Sequence, residues 1–137
     1  MPELNNPTQP CPCGSNTPYD SCCGLLHTGL KSAATAEQLM RSRYSAYALK
    51  KVDYLVQTTH PDSRSGSLKK DISAWAAQAN FFKLEIIETS RGDTDDKSGK
   101  VEFIAFYHDL NGINELHELS SFKKFQGKWF YVNGIVY

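Results

Sequence analysis

From Thr35 onward the chain passes from a helical hydrophobic period to a strand-like one. Thr35-Ala36-Glu37-Gln38 has the spacing of a capping box, with Thr35 as N-cap and Gln38 reaching back. Ala36, Leu39, Met40, Tyr44, Tyr47 and Ala48 then recur at helical spacing and predict a helix to about Lys50. Val52 to Gln57 reads as a short second helix, stopped before His60-Pro61. Leu68, Ile72, Trp75, Ala76 and Ala79 form the stripe of a third helix running through Trp75. Beyond it, Phe81 to Glu88 is rich in β-branched and aromatic residues and predicts a strand. Arg91 to Gly99 is a polar turn, Val101 to Tyr107 the most strand-like run, and Asn111-Gly112 a two-residue hairpin signal. Ile113 to Phe125, a turn at Gln126-Gly127 and Lys128 to Tyr137 complete about four antiparallel strands. Helices first and strands second point to an α+β domain, with helices packed on one face of a curved antiparallel sheet.

Composition adds a second unit. Of the six prolines, Pro2, Pro7, Pro10, Pro12 and Pro18 fall in the first 30 residues, together with all four cysteines. That segment has no lysine or arginine, and its only charges are Glu3 and Asp20. The expected organisation is a small module over 1–30, opening on a loose arm at residues 1–10, and one folded domain over 31–137. The whole chain has 137 residues and balances 15 lysines and arginines against 15 aspartates and glutamates. That balance argues against a dedicated polyanion binder, which needs a clustered cationic excess, so no specific nucleic-acid binding is expected. No apolar run reaches the roughly 18 residues of a membrane span. The start, Met1 to Asn6, lacks the basic and apolar regions of a signal peptide, so a cytoplasmic protein without membrane association is expected.

The cysteines carry the clearest chemistry. Cys11, Cys13, Cys22 and Cys23 form a C-x-C-x8-C-C arrangement. Four thiolates so placed can surround one tetrahedral Zn²⁺ at about 2.3 Å from each sulfur. Pro12, Gly14, Pro18 and Gly24 supply the tight turns that bring two close pairs together. A reducing compartment disfavours disulfides, and no cationic neighbour is present to activate the vicinal Cys22-Cys23 pair for redox work, although that reading stays open. His27 lies four residues after Cys23 and is an alternative ligand; a surface or capping histidine is the plainer reading, because four sulfurs already fill the tetrahedron. Since the module has few other apolar residues, it is expected to lose order without metal while the domain after Thr35 stays folded.

Cys11-Pro-Cys13-Gly14-Ser15, Tyr19 and Cys22-Cys23-Gly24 resemble the SEC-C motif, the zinc knuckle at the C-terminus of the SecA translocation ATPase. There the fourth ligand is often histidine, and the matching position here is Cys23. The block Ala36 to Tyr47, then Tyr54-Leu55, Thr59-His60-Pro61, Val101-Glu102-Phe103, His117-Glu118, Ser120, Phe122 and Trp129 to Gly134 resemble the YchJ-like family of uncharacterised bacterial proteins. The resemblance implies an N-terminal SEC-C motif and a cone-shaped domain similar to nuclear transport factor 2 (NTF2-like, cystatin-like). It implies no activity. Family members commonly carry a second SEC-C motif at the C-terminus, which these 137 residues do not contain. The usual lysines between the cysteine pairs are also missing, so an acidic zinc–thiolate knuckle is expected to repel phosphates and to leave a protein as its partner.

Cone-shaped folds of this kind often leave a pocket. Strand alternation puts Leu116, Glu118, Ser120 and Phe122 on one face and His117 on the other. The candidate pocket residues are Arg43, Tyr44, Tyr47, Trp75, Glu118, Ser120 and Phe122, which would admit a small molecule. Arg43 falls inside the apolar stripe of its helix, and Glu118 is the carboxylate among apolar neighbours on the third strand, which predicts a buried Arg43–Glu118 ion pair. Trp75, Trp129 and Tyr131 read first as core. The leading functional expectation is a non-enzymatic zinc-bearing interaction protein. The alternative is a small-molecule-binding protein or enzyme using Glu118 as acid or base, since one fold serves many functions.

Overall fold

The computed structural model describes residues 9–137. The arm expected at the N-terminus therefore lies largely outside the described residues; Pro10, within them, pairs with Pro18 in an isolated bridge. A 3₁₀ turn at Tyr19–Ser21 leads into α1 (Cys23–His27), then α2 (Ala36–Ala48), α3 (Val52–Gln57), a second 3₁₀ turn (Pro61–Ser63) and α4 (Leu68–Gln78). Four strands follow: β1 (Asn80–Arg91), β2 (Ser98–Asp109), β3 (Gly112–Phe125) and β4 (Lys128–Val136). They form one antiparallel sheet in sequence order β1-β2-β3-β4. The α+β class and the element order agree with the sequence reading.

Local chemistry explains most of this. The Thr35 hydroxyl accepts from Gln38 N at 3.0 Å, and Gln38 Oε1 reaches back to Ala34 N at 2.8 Å, closing the start of α2. The β3–β4 loop is Gln126-Gly127, both at positive φ (53° and 79°), the conformation that matches a two-residue turn to strand twist. One detail differs from expectation. The β2–β3 loop is Leu110-Asn111, one residue earlier than the Asn-Gly signal, and Gly112 (φ 113°) already pairs with Asp109 as the first residue of β3. The short helix α3 spans Val52–Gln57 as the sequence reading has it, and His60 Nδ1 accepts from Asp62 N to cap the second 3₁₀ turn that follows. Sequence patterning also passes over α1, which is too short to show a period.

Register shifts in β1 (Phe81/Lys83 and Ile86/Glu88) and opposite Ser121/Phe122 bend the sheet around α2. The inward residues Val101, Phe103, Ala105 and Phe122 pack against Leu39, Met40 and Tyr44 of α2 in the main core. A second cluster of Ala46, Leu55 and Ile72 ties α2 to α3 and α4. Outward-facing His117 pairs with Glu102 across the strands, Nε2 to Oε2 at 2.7 Å. The helix α2 is buried on almost every side, including Ser42, Arg43 and Ser45, because the cysteine module covers the flank that the sheet leaves open.

Candidate metal centre and cone cavity

The cysteine module is a miniature hairpin followed by a helical turn. Cys11 N donates to Thr17 O, Tyr19 N to Gln9 O, and Gly14 N to Cys11 O, so Cys11 and Cys13 come from one tight turn. Cys22 and Cys23 stand at the entry to α1. A Cβ at Gly24 would meet Tyr19 O at 2.7 Å, so only glycine lets α1 approach the turn before it. The four sulfurs lie within 4.8 Å of one another. Cys13 Sγ and Cys22 Sγ are 3.7 Å apart, close to the ~3.8 Å edge of a tetrahedron of sulfurs around one ion. Cys11, Cys13 and Cys23 are buried and Cys22 is half-buried. All four cysteines are free, none being joined in a disulfide. The cluster competes for protons: hydrogen bonds with Cys11 and Cys23 pull the Cys13 thiol below its ordinary value, while contacts with Cys11 and Cys13, and burial, push Cys23 up. A cation at the centre removes that competition, so the donor set fits a metal ion.

The domain supplies an outer layer. Ser45 Oγ on α2 donates to Cys23 Sγ at 3.3 Å and lies 3.6 Å from Cys11 Sγ. Ser15 Oγ sits 3.2 Å from Cys22 Sγ. Arg41, paired with Glu37, donates from Nη1 to Cys13 O at 2.8 Å. Such partners orient the ligands that touch the ion. Ser45 and Arg41 escaped the sequence reading because both lie off the apolar stripe of α2, on the flank that the knuckle covers.

His27 is not a ligand. Its Nε2 is 2.9 Å from Ser42 O and its Nδ1 is 2.7 Å from the Tyr19 hydroxyl. A carbonyl only accepts, so Nε2 carries the proton and Nδ1 accepts from Tyr19. Rather than capping the surface, His27 pins the module to α2, and its ring packs edge-on to Tyr54 at 4.6 Å. Burial lowers the His27 pKa below its ordinary value and pushes the Tyr19 hydroxyl up to about 12.

On the opposite flank of α2, a cavity of about 110 Å³ opens between the helices and the concave sheet. Arg43, Tyr44 and Tyr47 from α2 and Trp75 from α4 line one side. Glu118, Ser120 and Phe122 of β3, with Tyr131 of β4, line the other. All seven sequence-derived pocket residues thus meet at one cavity, joined by Tyr131, which patterning assigned to the core. The Arg43–Glu118 ion pair does not form. Arg43 Nη1 instead donates to Leu55 O at 2.9 Å and Thr58 Oγ1 at 2.7 Å, where the last turn of α3 presents the negative end of its dipole. The guanidinium stacks 4.5 Å over the Tyr131 ring. Glu118 Oε2 accepts from Ser120 Oγ at 2.5 Å and from the Tyr131 hydroxyl at 3.3 Å. Tyr131 therefore touches both charges, Arg43 with its ring face and Glu118 with its hydroxyl. Burial lowers the Arg43 pKa and raises those of Tyr44, Tyr47 and Tyr131.

No helix among the described residues is long and apolar enough to cross a membrane. Comparison with known proteins locates this architecture. A UPF0225 protein of Geobacter sulfurreducens is 42% identical over 127 residues, covering 93% of this chain and 79% of its own. The solution structure of a SEC-C motif containing protein from Rhodopseudomonas palustris superposes with a TM-score of 0.82 at 37% identity, covering 94% of this chain and 99% of that one. The crystal structure of a SEC-C motif containing protein from Psychrobacter arcticus gives 0.76 at 33% identity, over 96% and 84%. Residues 8–25 match the SEC-C motif. Residues 35–134 match the family described as "YchJ, middle NTF2-like domain", and the chain belongs to that family.

Proposed function

We propose that Cys11, Cys13, Cys22 and Cys23 hold one structural Zn²⁺, and that the protein is a cytoplasmic, non-catalytic binding protein whose zinc knuckle docks on a protein partner. The closed four-sulfur set carries this reading: an all-thiolate tetrahedron suits zinc and has no open position for a substrate or water. When bound, the ion supplies a cross-link between the hairpin turn and α1. The rest of the knuckle is shaped for contact. Gly14, Ser15, Asn16, Asp20 and Ser21 are exposed, and Leu30 at its end is 79% exposed. Four thiolates on a divalent ion leave two net negative charges, to which Asp20 adds, so a polyanion is a poor partner. Arg41 is spent on Glu37 and Cys13 O rather than offered to phosphates.

The test is metal analysis of protein purified without chelator. One zinc per chain is expected, lost on changing both Cys11 and Cys13 to serine. Full zinc content in that double variant, or stoichiometric iron in the native chain, overturns the reading. For the partner, affinity capture with the full chain is compared with Asp20→Arg/Leu30→Asp, chosen because both sites are exposed and away from the sulfurs. Capture of the same proteins by both, at equal zinc content, counts against the knuckle as the docking surface. A second reading, Glu118 as general acid or base, draws support from its place on the cavity wall near Arg43. Its Oε2, however, is already held by two hydroxyls.

A further inference from the structure

Arg43 is an unusual charge to find in a core. It is only 7% exposed, and its described partners are all neutral: Leu55 O and the hydroxyls of Thr58 and Thr59. All three are reached by Nη1. Nε and Nη2 make no hydrogen bond among the described residues, and Arg43 lines the cavity. Buried charges are ordinarily paired with an opposite charge. Glu118, at the Tyr131 hydroxyl, uses Oε2 for Ser120 and Tyr131 and leaves Oε1 without a hydrogen bond among the described residues. Between the two charges the walls are aromatic: Trp75 lies edge-on to Tyr47 and to Phe81, each at 5.3 Å between ring centroids.

We infer that this cavity is a binding site for a small organic carboxylate that also carries an O–H or N–H donor. The ligand carboxylate takes the parallel Nε–H and Nη2–H of Arg43, a fork that matches two carboxylate oxygens. The donor turns to Glu118 Oε1, and a flat apolar body fills the space beside Tyr47, Trp75 and Phe81. Charge selects this class. Arg43 and Glu118 already offset one another at longer range. A carboxylate therefore adds one charge, met by the free fork of Arg43, and turns a donated proton rather than a second anion toward Glu118. A phosphate dianion adds two charges, and a simple cation leaves the Arg43 fork without an acceptor. Size selects too. A closed apolar cavity of about 150 Å³ accommodates benzene, so about 110 Å³ encloses at most part of one small ring, and the rest of the ligand reaches out through the open side of the cavity. The site is independent of the knuckle reading, because it lies on the other flank of α2.

The experiment is calorimetric titration of the full, zinc-loaded chain with 4-hydroxybenzoate, benzoate and 4-hydroxybenzamide. Both carboxylates are expected to bind saturably, the hydroxy acid more tightly, and the uncharged amide at least about tenfold more weakly. Arg43→Met should abolish saturable binding while zinc content holds and the chain still melts cooperatively. Arg43→Lys, which keeps the charge and loses the fork, should weaken binding by about tenfold, and it decides the matter if Arg43→Met fails to fold. Glu118→Leu should erase the advantage of 4-hydroxybenzoate over benzoate and leave benzoate affinity in place. The inference is overturned if neither carboxylate binds the native chain at about 10 mM, if the amide binds as well as the acids, or if the arginine substitutions leave affinity unchanged.

Discussion

Replacing Arg43 with methionine separates a structural charge from one kept for another purpose. The substitution removes charge-assisted hydrogen bonds to Leu55 O and Thr58 Oγ1, each worth about 1.5–3 kcal/mol, and a stack on Tyr131 worth about 1–2 kcal/mol. Against this stands the desolvation of a guanidinium almost wholly removed from water, several kcal/mol per buried ion. The acceptors are not stranded. Leu55 O still takes the Thr59 hydroxyl at 2.9 Å, and Thr58 Oγ1 still donates to Tyr54 O at 2.8 Å. Methionine is also flexible enough to fill the stem's volume. The opposing contributions nearly cancel, and the expected change lies within about 2 kcal/mol of zero, against the roughly 3–5 kcal/mol lost on breaking a buried ion pair. Urea unfolding of zinc-loaded protein, followed by circular dichroism, measures it. A loss of about 4 kcal/mol or more would show that Arg43 has a charged partner and that the neutral cradle is misread.

Chelation should lower the melting temperature of the whole domain, not only loosen the knuckle, because Cys11, Cys13 and Cys23 share one core with Leu39, Met40 and Tyr44. Binding of a structural zinc is worth about 10–16 kcal/mol in isolated fingers, comparable with the entire stability of a domain; an unchanged domain melt after stoichiometric zinc removal would instead restore the independence that the sequence suggests. Acidification in excess zinc should destabilise the fold through His27: its folded pKa is below 6.5, so the stability it lends is complete above pH 6.5 and is lost as pH falls toward the folded value. Comparing melts of the native chain and His27→Gln across that window checks this, and parallel curves would refute it. At Gly134 a Cβ would land on the Glu118 carboxylate, so Gly134→Ala should cost about 1–3 kcal/mol by breaking its bonds to Ser120 and Tyr131. Adding Glu118→Ala should recover part of that loss; strictly additive costs would show that the two sites do not touch.

What could be read from the chain alone is what short-range chemistry decides. The capping box at Thr35, the helical stripe that follows it, the two-period change after Ala79 and the Gln126-Gly127 turn each depend on neighbours within a few residues. The cysteine spacing belongs to the same class, since four donors within one short loop restrict the geometry before any packing. Alternation along β3 likewise set Glu118, Ser120 and Phe122 on one face. These signals sufficed for the fold class and for seven of the residues that line the cavity, but not for the place of Tyr131 among them.

Partners were a different matter, because a partner is fixed by where distant elements come to rest. The stripe on α2 marked the face toward the sheet but could not show that the knuckle covers the other flank, turning Ser42 and Ser45 into buried supports of His27 and the sulfurs. Strand and helix periodicity aimed Arg43 and Glu118 into the same interior without a separation. Only the tertiary structure placed the end of α3 against Arg43 and brought Tyr131 into contact with both charges. Periodicity is a property of one element, whereas the distance between two side chains depends on the rigid-body placement of both.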